Sequence, residues 1–102
     1  MEWACGLFEG EGCITRKTVN QGNYIYLRVG STDYDVLLRF LNIVNCGAIH
    51  KCKAPTNPRW KQMWVWSCGK KAEVKNLITT WLPMFGERRA YTALNALDFC
   101  EL

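Results

Sequence analysis

No run of about 18 apolar residues occurs in the sequence, so no segment reads as a membrane-spanning helix. The start of the chain also lacks the charged and apolar regions of a signal peptide. An intracellular protein, cytoplasmic or organellar, is therefore expected. None of the six cysteines forms a C-x-x-C pair, and there is a single histidine. Cys46, His50, Cys52 and Cys68 have zinc-ligand chemistry, but their spacing fits no standard zinc motif. The cysteines read instead as reduced thiols that pack like small apolar residues. Prolines number only three, and there is no low-complexity stretch. With 49% hydrophobic and 13% aromatic residues, the chain has enough apolar surface to offset its ordering entropy, which excludes disorder. Its 102 residues suit one domain, 1–102.

Acidic residues are missing from two long stretches. Between Gly12 and Thr32 lie Arg16, Lys17 and Arg28 with no carboxylate. Between Val36 and Ala72 lie Arg39, Lys51, Lys53, Arg59, Lys61, Lys70 and Lys71, again with none. A net charge of +4 understates this segregation, which has the pattern of a footprint for a polyanion.

Periodicity places the elements. Residues 2–10 predict a short helix. Two strands, 13–19 and 23–29, follow, joined by a hairpin turn at Asn20-Gln21-Gly22 in which Gly22 tolerates positive φ. Ser31-Thr32-Asp33 supplies N-cap chemistry for a helix reaching about Asn45, with Val36, Leu37, Phe40, Leu41 and Val44 as its apolar stripe. Strands are expected at 48–53 and 59–68, around a loop holding Pro55 and Pro58. A helix from Lys70 to Trp81 ends before Pro83. A last helix covers 87–102, with Ala90, Leu94 and Leu97 inward.

The resulting order, α-β-β-α-β-β-α-α, predicts an α+β fold. Two hairpins form a four-stranded antiparallel saddle with helices on one face. The other face stays open, as antiparallel sheets allow. In the second strand Ile25, Leu27 and Val29 belong to the core, leaving Tyr24, Tyr26 and Arg28 outward. Thr15 and Lys17 share that outward face, and Arg16 is a further candidate for a phosphate. Lys61, Met63, Val65 and Ser67 alternate outward from Trp64 and Trp66. The third strand stays ambiguous between His50 with Cys52 and Lys51 with Lys53. Together with Arg59, these cations are the candidate nucleic-acid contacts.

The first dozen residues carry the most chemistry. Gly6 and Gly10, four residues apart, stack on one helix face and permit close approach of another backbone. Two helical glycines cost about 1 kcal/mol each relative to alanine, a cost that makes sense where the helix packs against a copy of itself. Glu9 and Glu11 fall at the helix end, beside carbonyls without intrahelical partners. Carboxylates and carbonyls are hard oxygen ligands suited to Mg²⁺.

The stretch Ala4–Gly12, A-C-G-L-F-E-G-E-G, resembles the signature of the LAGLIDADG homing endonucleases. Ala4-Cys5 stands where that motif has Leu-Ala, and Glu9 and Glu11 stand for its two aspartates. The element order resembles the family's core over nearly the whole chain. The resemblance implies a site-specific, double-strand DNA endonuclease of mobile-intron type. Its metal would be held by Glu11 and the Gly10 carbonyl, with Glu9 structural. One motif copy implies a homodimer joined through Ala4, Gly6, Leu7 and Gly10, on a palindromic or pseudo-palindromic duplex. A two-fold axis brings two copies of Glu11 together, which a single carboxylate needs to make a metal site. A basic residue near the start of the terminal helix is implied as well, with Arg88 preferred and Arg89 the other candidate. The pattern departs where a water-positioning polar residue is usual, near Gly30 or Ser31. An alternative therefore stands: the same fold with weakened catalysis, as a maturase-like RNA binder or a DNA-binding regulator.

Overall fold

The computed structural model describes residues 1–20 and 22–101. Its elements run α1 (Glu2–Glu11), β1 (Gly12–Val19), β2 (Gly22–Ser31), α2 (Tyr34–Val44), β3 (Ala48–Lys51), β4 (Trp64–Cys68), α3 (Lys71–Trp81) and α4 (Glu87–Glu101), with a short 3-10 turn at Leu82–Met84. This is the expected α+β order. The four strands make one antiparallel sheet in the order β1-β2-β4-β3.

Period-two alternation sets the two faces of the sheet. Ile25, Leu27 and Val29 of β2 are at most 1% exposed, and their register partners in β4, Trp66 and Cys68, are buried with them. The helices cover this face. An aromatic cluster forms the centre of the core: Phe8 of α1 stacks on Trp81 at 5.0 Å, and Phe40 of α2 meets Trp66 edge-on at 4.7 Å. Burial raises the thiol pKa of Cys5, Cys46 and Cys68, that of Cys68 to about 12. These thiols stay protonated at neutral pH and pack as apolar groups.

Local chemistry sets the joints. Asp33 caps α2, its carboxylate accepting from the Asp35 amide at 3.1 Å, while Ser31 Oγ accepts from the Asp33 amide at 2.9 Å. Asn45 closes α2 in the left-handed region at φ 57. Gly47, at φ +84, must be glycine, because a Cβ there would lie 2.6 Å from the Ser67 carbonyl and from Trp66 Nε1. That same indole nitrogen donates to the Cys46 carbonyl at 2.9 Å, tying the α2–β3 connection to β4.

Three expectations require correction. In the first hairpin the left-handed residue is Asn20, at φ 56, while Gly22 already pairs with Val19 in the ladder; Gln21 lies outside the described residues. The second hairpin is shorter than expected, with β3 ending at Lys51 and β4 beginning at Trp64. Asn57 is the cause: its side chain accepts from the Arg59 amide and its carbonyl from the Trp60 amide, turning the chain where a strand was expected. On α4, Leu94 is 49% exposed, and Ala93 and Ala96 are the buried residues. Ala90 and Leu97 pack against the core as expected, and the small Ala93 and Ala96 let α4 lie close to the sheet, so only Leu94 is misplaced. Leu102 lies outside the described residues.

Candidate functional site

The buried face of α1 carries Ala4, Cys5 and Phe8. Gly6 and Gly10 are both exposed, in helical spacing with Trp3 and Leu7, which are half-buried and pack against the core. A Cβ at Gly6 or Gly10 would meet nothing within 4 Å. Neither position has a positive φ. The chain's own fold therefore gives no reason for glycine at either place. Ala4, expected beside the glycines at the helix interface, is 0% exposed and belongs to the chain's own core.

At the end of α1 the two glutamates separate. The Glu9 carboxylate accepts from the Gly86 amide, with both oxygens within 3.2 Å. Glu9 opposes the dipole of its own helix but lies at the N-terminus of α4, where a negative charge is favourable. Arg89 reaches back from α4, its Nη2 donating to the Glu9 carbonyl at 2.9 Å and the Gly12 carbonyl at 3.1 Å, with the guanidinium 5.5 Å from the Phe8 ring centre. Arg89 thus closes the helix end. Arg88 is exposed, on the rim of an open pocket of about 530 Å³ that Glu9 and Gly86 also line. Glu11, the last residue of α1, is exposed too and has no side-chain partner among the described residues.

This geometry makes Arg89 a stability residue. Arg89→Ala leaves two carbonyls of a partly buried helix end without their donor. Loss of about 1–3 kcal/mol in denaturant unfolding is expected. An unchanged midpoint would show that the clamp contributes nothing.

A divalent cation fits the end of α1 in part. Glu11 and the Gly10 carbonyl are hard oxygen donors at an exposed helix end, with Arg89 already committed to the flanking carbonyls. Among the described residues no group of three or more metal-ligating side chains exists.

The register assigns the open face of the sheet. Thr15 pairs with Tyr26, Lys17 with Tyr24, Cys13 with Arg28, and Arg28 with Ser67. His50 pairs with Val65, which settles the third strand: His50 lies on the open face, and Lys51 lies opposite Trp64 on the helix side, its Nζ 5.9 Å from that ring centre. Arg16 is also on the helix side, 5.6 Å from the ring of Phe99 in α4. Lys17 and Arg28 are the full cations of the open strand face. Lys53, Arg59 and Lys61 lie beyond the strand ends, in the β3–β4 loop. The basic surface is split between sheet and loop, which alternation alone did not reveal.

No family model and no curated protein matches the sequence. Solved structures do. The homing endonuclease I-CvuI, in complex with its target in the presence of calcium, matches with a TM-score of 0.71 and 19% identity over 94% of this chain and 62% of that one. The group I intron-encoded homing endonuclease I-CeuI, complexed with DNA, has a TM-score of 0.71 and 13% identity, covering 99% of this chain and 53% of that one. The LAGLIDADG meganuclease I-AabMI, bound to uncleaved DNA, has a TM-score of 0.58 and 17% identity over 78% of this chain and 28% of that one. The chain thus spans less than two thirds of the length of each of these proteins. Its fold is that of the LAGLIDADG homing endonucleases.

Proposed function

We propose that the chain is one protomer of a homodimeric, Mg²⁺-dependent endonuclease that cuts both strands of a palindromic or pseudo-palindromic DNA duplex. The observation that carries this reading is the open glycine pair on α1. Two glycines that the chain's own packing does not require stand there, and the helix leads to an exposed, unpartnered carboxylate. Crossing two such helices on a two-fold axis would bring two copies of Glu11 and of the Gly10 carbonyl together as a site for hard cations. Bound there, Mg²⁺ would supply Lewis-acid stabilisation of charge on phosphate oxygens and a more acidic water. Glu11 would hold the cation, and Glu9 would fix the helix end through Gly86. Arg88, free at the start of α4, would meet the negative charge that grows on the phosphate, while Arg89 keeps the helix end closed. Lys17, Arg28 and the Tyr24–Tyr26 pair would face the groove, with Lys53, Arg59 and Lys61 on phosphates at the loop end. Among solved structures of this fold, I-CvuI has been crystallised with calcium and with magnesium on DNA.

Binding is expected to weaken steeply with salt. Lys17, Arg28 and Lys61 with their dyad copies make about six phosphate contacts, which releases condensed counterions. Affinity should fall about a thousandfold between roughly 50 and 200 mM salt. Fluorescence anisotropy on a duplex measures this, and a flat profile would remove the basic surface from the interface.

One observation favours a second reading, a binding module of the same fold. Ser31, near the place where the resemblance expects a water-positioning polar group, uses its hydroxyl to accept from the Asp33 amide. Plasmid nicking with and without Mg²⁺ separates the readings: cuts in Mg²⁺ support the endonuclease, and tight binding without cuts supports the module.

A further inference from the structure

The β3–β4 loop frames a cleft beside the sheet, away from the end of α1. Asn57 turns the chain through its side chain and carbonyl, and Gln62 Nε2 donates across the loop mouth to the carbonyls of Cys52, at 2.7 Å, and Met63. The Cys52 amide donates to the Met63 carbonyl at 3.0 Å, extending the ladder one step past the strands. The loop is thus pinned at its base and its turn. Between them lies a cleft of about 680 Å³ whose apolar lining includes Trp60, Met63 and Pro55. Lys53, Arg59 and Lys61 also line it. Trp60 is 61% exposed, an unusual position for the largest apolar side chain in a loop held this firmly. A Cβ at Gly30 would lie 3.4 Å from the Met63 methyl, so the cleft is continuous with the sheet's open face.

We propose that this cleft captures an unpaired nucleotide of a DNA strand, its base stacked on Trp60 and its flanking phosphates held by Lys53, Arg59 and Lys61. The chemistry selects that ligand. An indole face beside three cations, in a stretch without any acid, complements a flat aromatic group carrying negative charge. A base inside a duplex has both faces covered by its neighbours, so an unpaired base is the one that can stack on the ring. Continuity with the open face puts the cleft beside a bound duplex, where a strand end or a melted step would supply such a base. The inference rests on the proposed function only for that placement.

Titration of the full chain with a short oligothymidylate, followed by tryptophan fluorescence, tests it. Wild type should bind with quenching. Trp60→Ala should lose about tenfold in affinity for the oligothymidylate relative to its loss for a blunt duplex, the size of one base–aromatic stack. Trp60→Phe should keep most of the affinity while abolishing the quench. Because Trp60 is exposed, its removal takes nothing from the core. Equal losses for oligothymidylate and duplex in Trp60→Ala, or a quench that survives Trp60→Phe, would overturn the proposal. So would a tenfold preference for oligouridylate over oligothymidylate, which would mark an RNA site. Cleavage is scored separately: wild type that binds and quenches but never cuts duplex DNA supports the cleft and refutes the endonuclease. Wild type that cuts but shows no Trp60-dependent quench does the reverse.

Discussion

Glu11→Gln should abolish the proposed Mg²⁺-dependent cleavage while leaving duplex affinity unchanged or slightly better. The substitution removes one negative charge and keeps the shape of an exposed residue whose side chain makes no hydrogen bond or ion pair among the described residues. Stability should therefore not move. Charge stabilisation by a bound cation is worth several kcal/mol, so the cleavage rate should drop by at least about a thousandfold. Glu9→Gln gives the contrast. Its carboxylate is tied to the Gly86 amide, so that substitution should lower stability more than it lowers cleavage per folded dimer. Full cleavage by Glu11→Gln, measured on supercoiled plasmid, would end the metal assignment.

Gly6→Leu should break the dimer and leave the monomer intact. Within one chain the new side chain enters open space, and the backbone there is ordinary helix. Replacing a helical glycine should even favour α1 slightly. Across a two-fold crossing, each of two leucines forces the helices apart at about 1–3 kcal/mol per site. Dissociation should then be at least roughly thirtyfold easier. Separation of the paired Glu11 carboxylates would remove double-strand cleavage although every catalytic residue is present. Sedimentation of both proteins, with and without duplex, checks this. A wild type that stays monomeric on DNA, or a Gly6→Leu protein that dimerises and cuts both strands, would show that α1 is not the interface.

What the sequence revealed about this fold depended on how local the cause was. The alternation in β2 was legible because Ile25, Leu27 and Val29 interleave with Tyr24, Tyr26 and Arg28, and the structure buries the first three. The cap at Asp33 was legible for the same reason, since its bond to the Asp35 amide spans two residues. The start of β4 was not, because Arg59 to Met63 has strand-like composition, and a single Asn57 turn overrides it. Strand register also escaped a one-dimensional reading. His50 could be told from Lys51 only after pairing with Val65 fixed its face. At the candidate site the resemblance already set Glu9 apart from Glu11 as structural, but its partner, the Gly86 amide 77 residues away, had no trace in the sequence. Arg89 is distinguished from Arg88 by its bonds to the Glu9 and Gly12 carbonyls. Long-range polar contacts leave no periodic trace. Exposure of Trp60 likewise had no local signal beyond the prolines and Asn57 around it.

The measurement that bears most directly on the proposed activity is cleavage of a randomised duplex DNA library by the full chain, with Mg²⁺ or with a chelator, followed by sequencing of both new ends. A homodimer with paired Glu11 carboxylates should cut both strands, at a site whose two halves are related by two-fold symmetry, in Mg²⁺ and not in the chelator. Enrichment of bound duplexes with every strand intact in Mg²⁺ would contradict it, and would leave a nucleic-acid-binding protein built on an endonuclease fold.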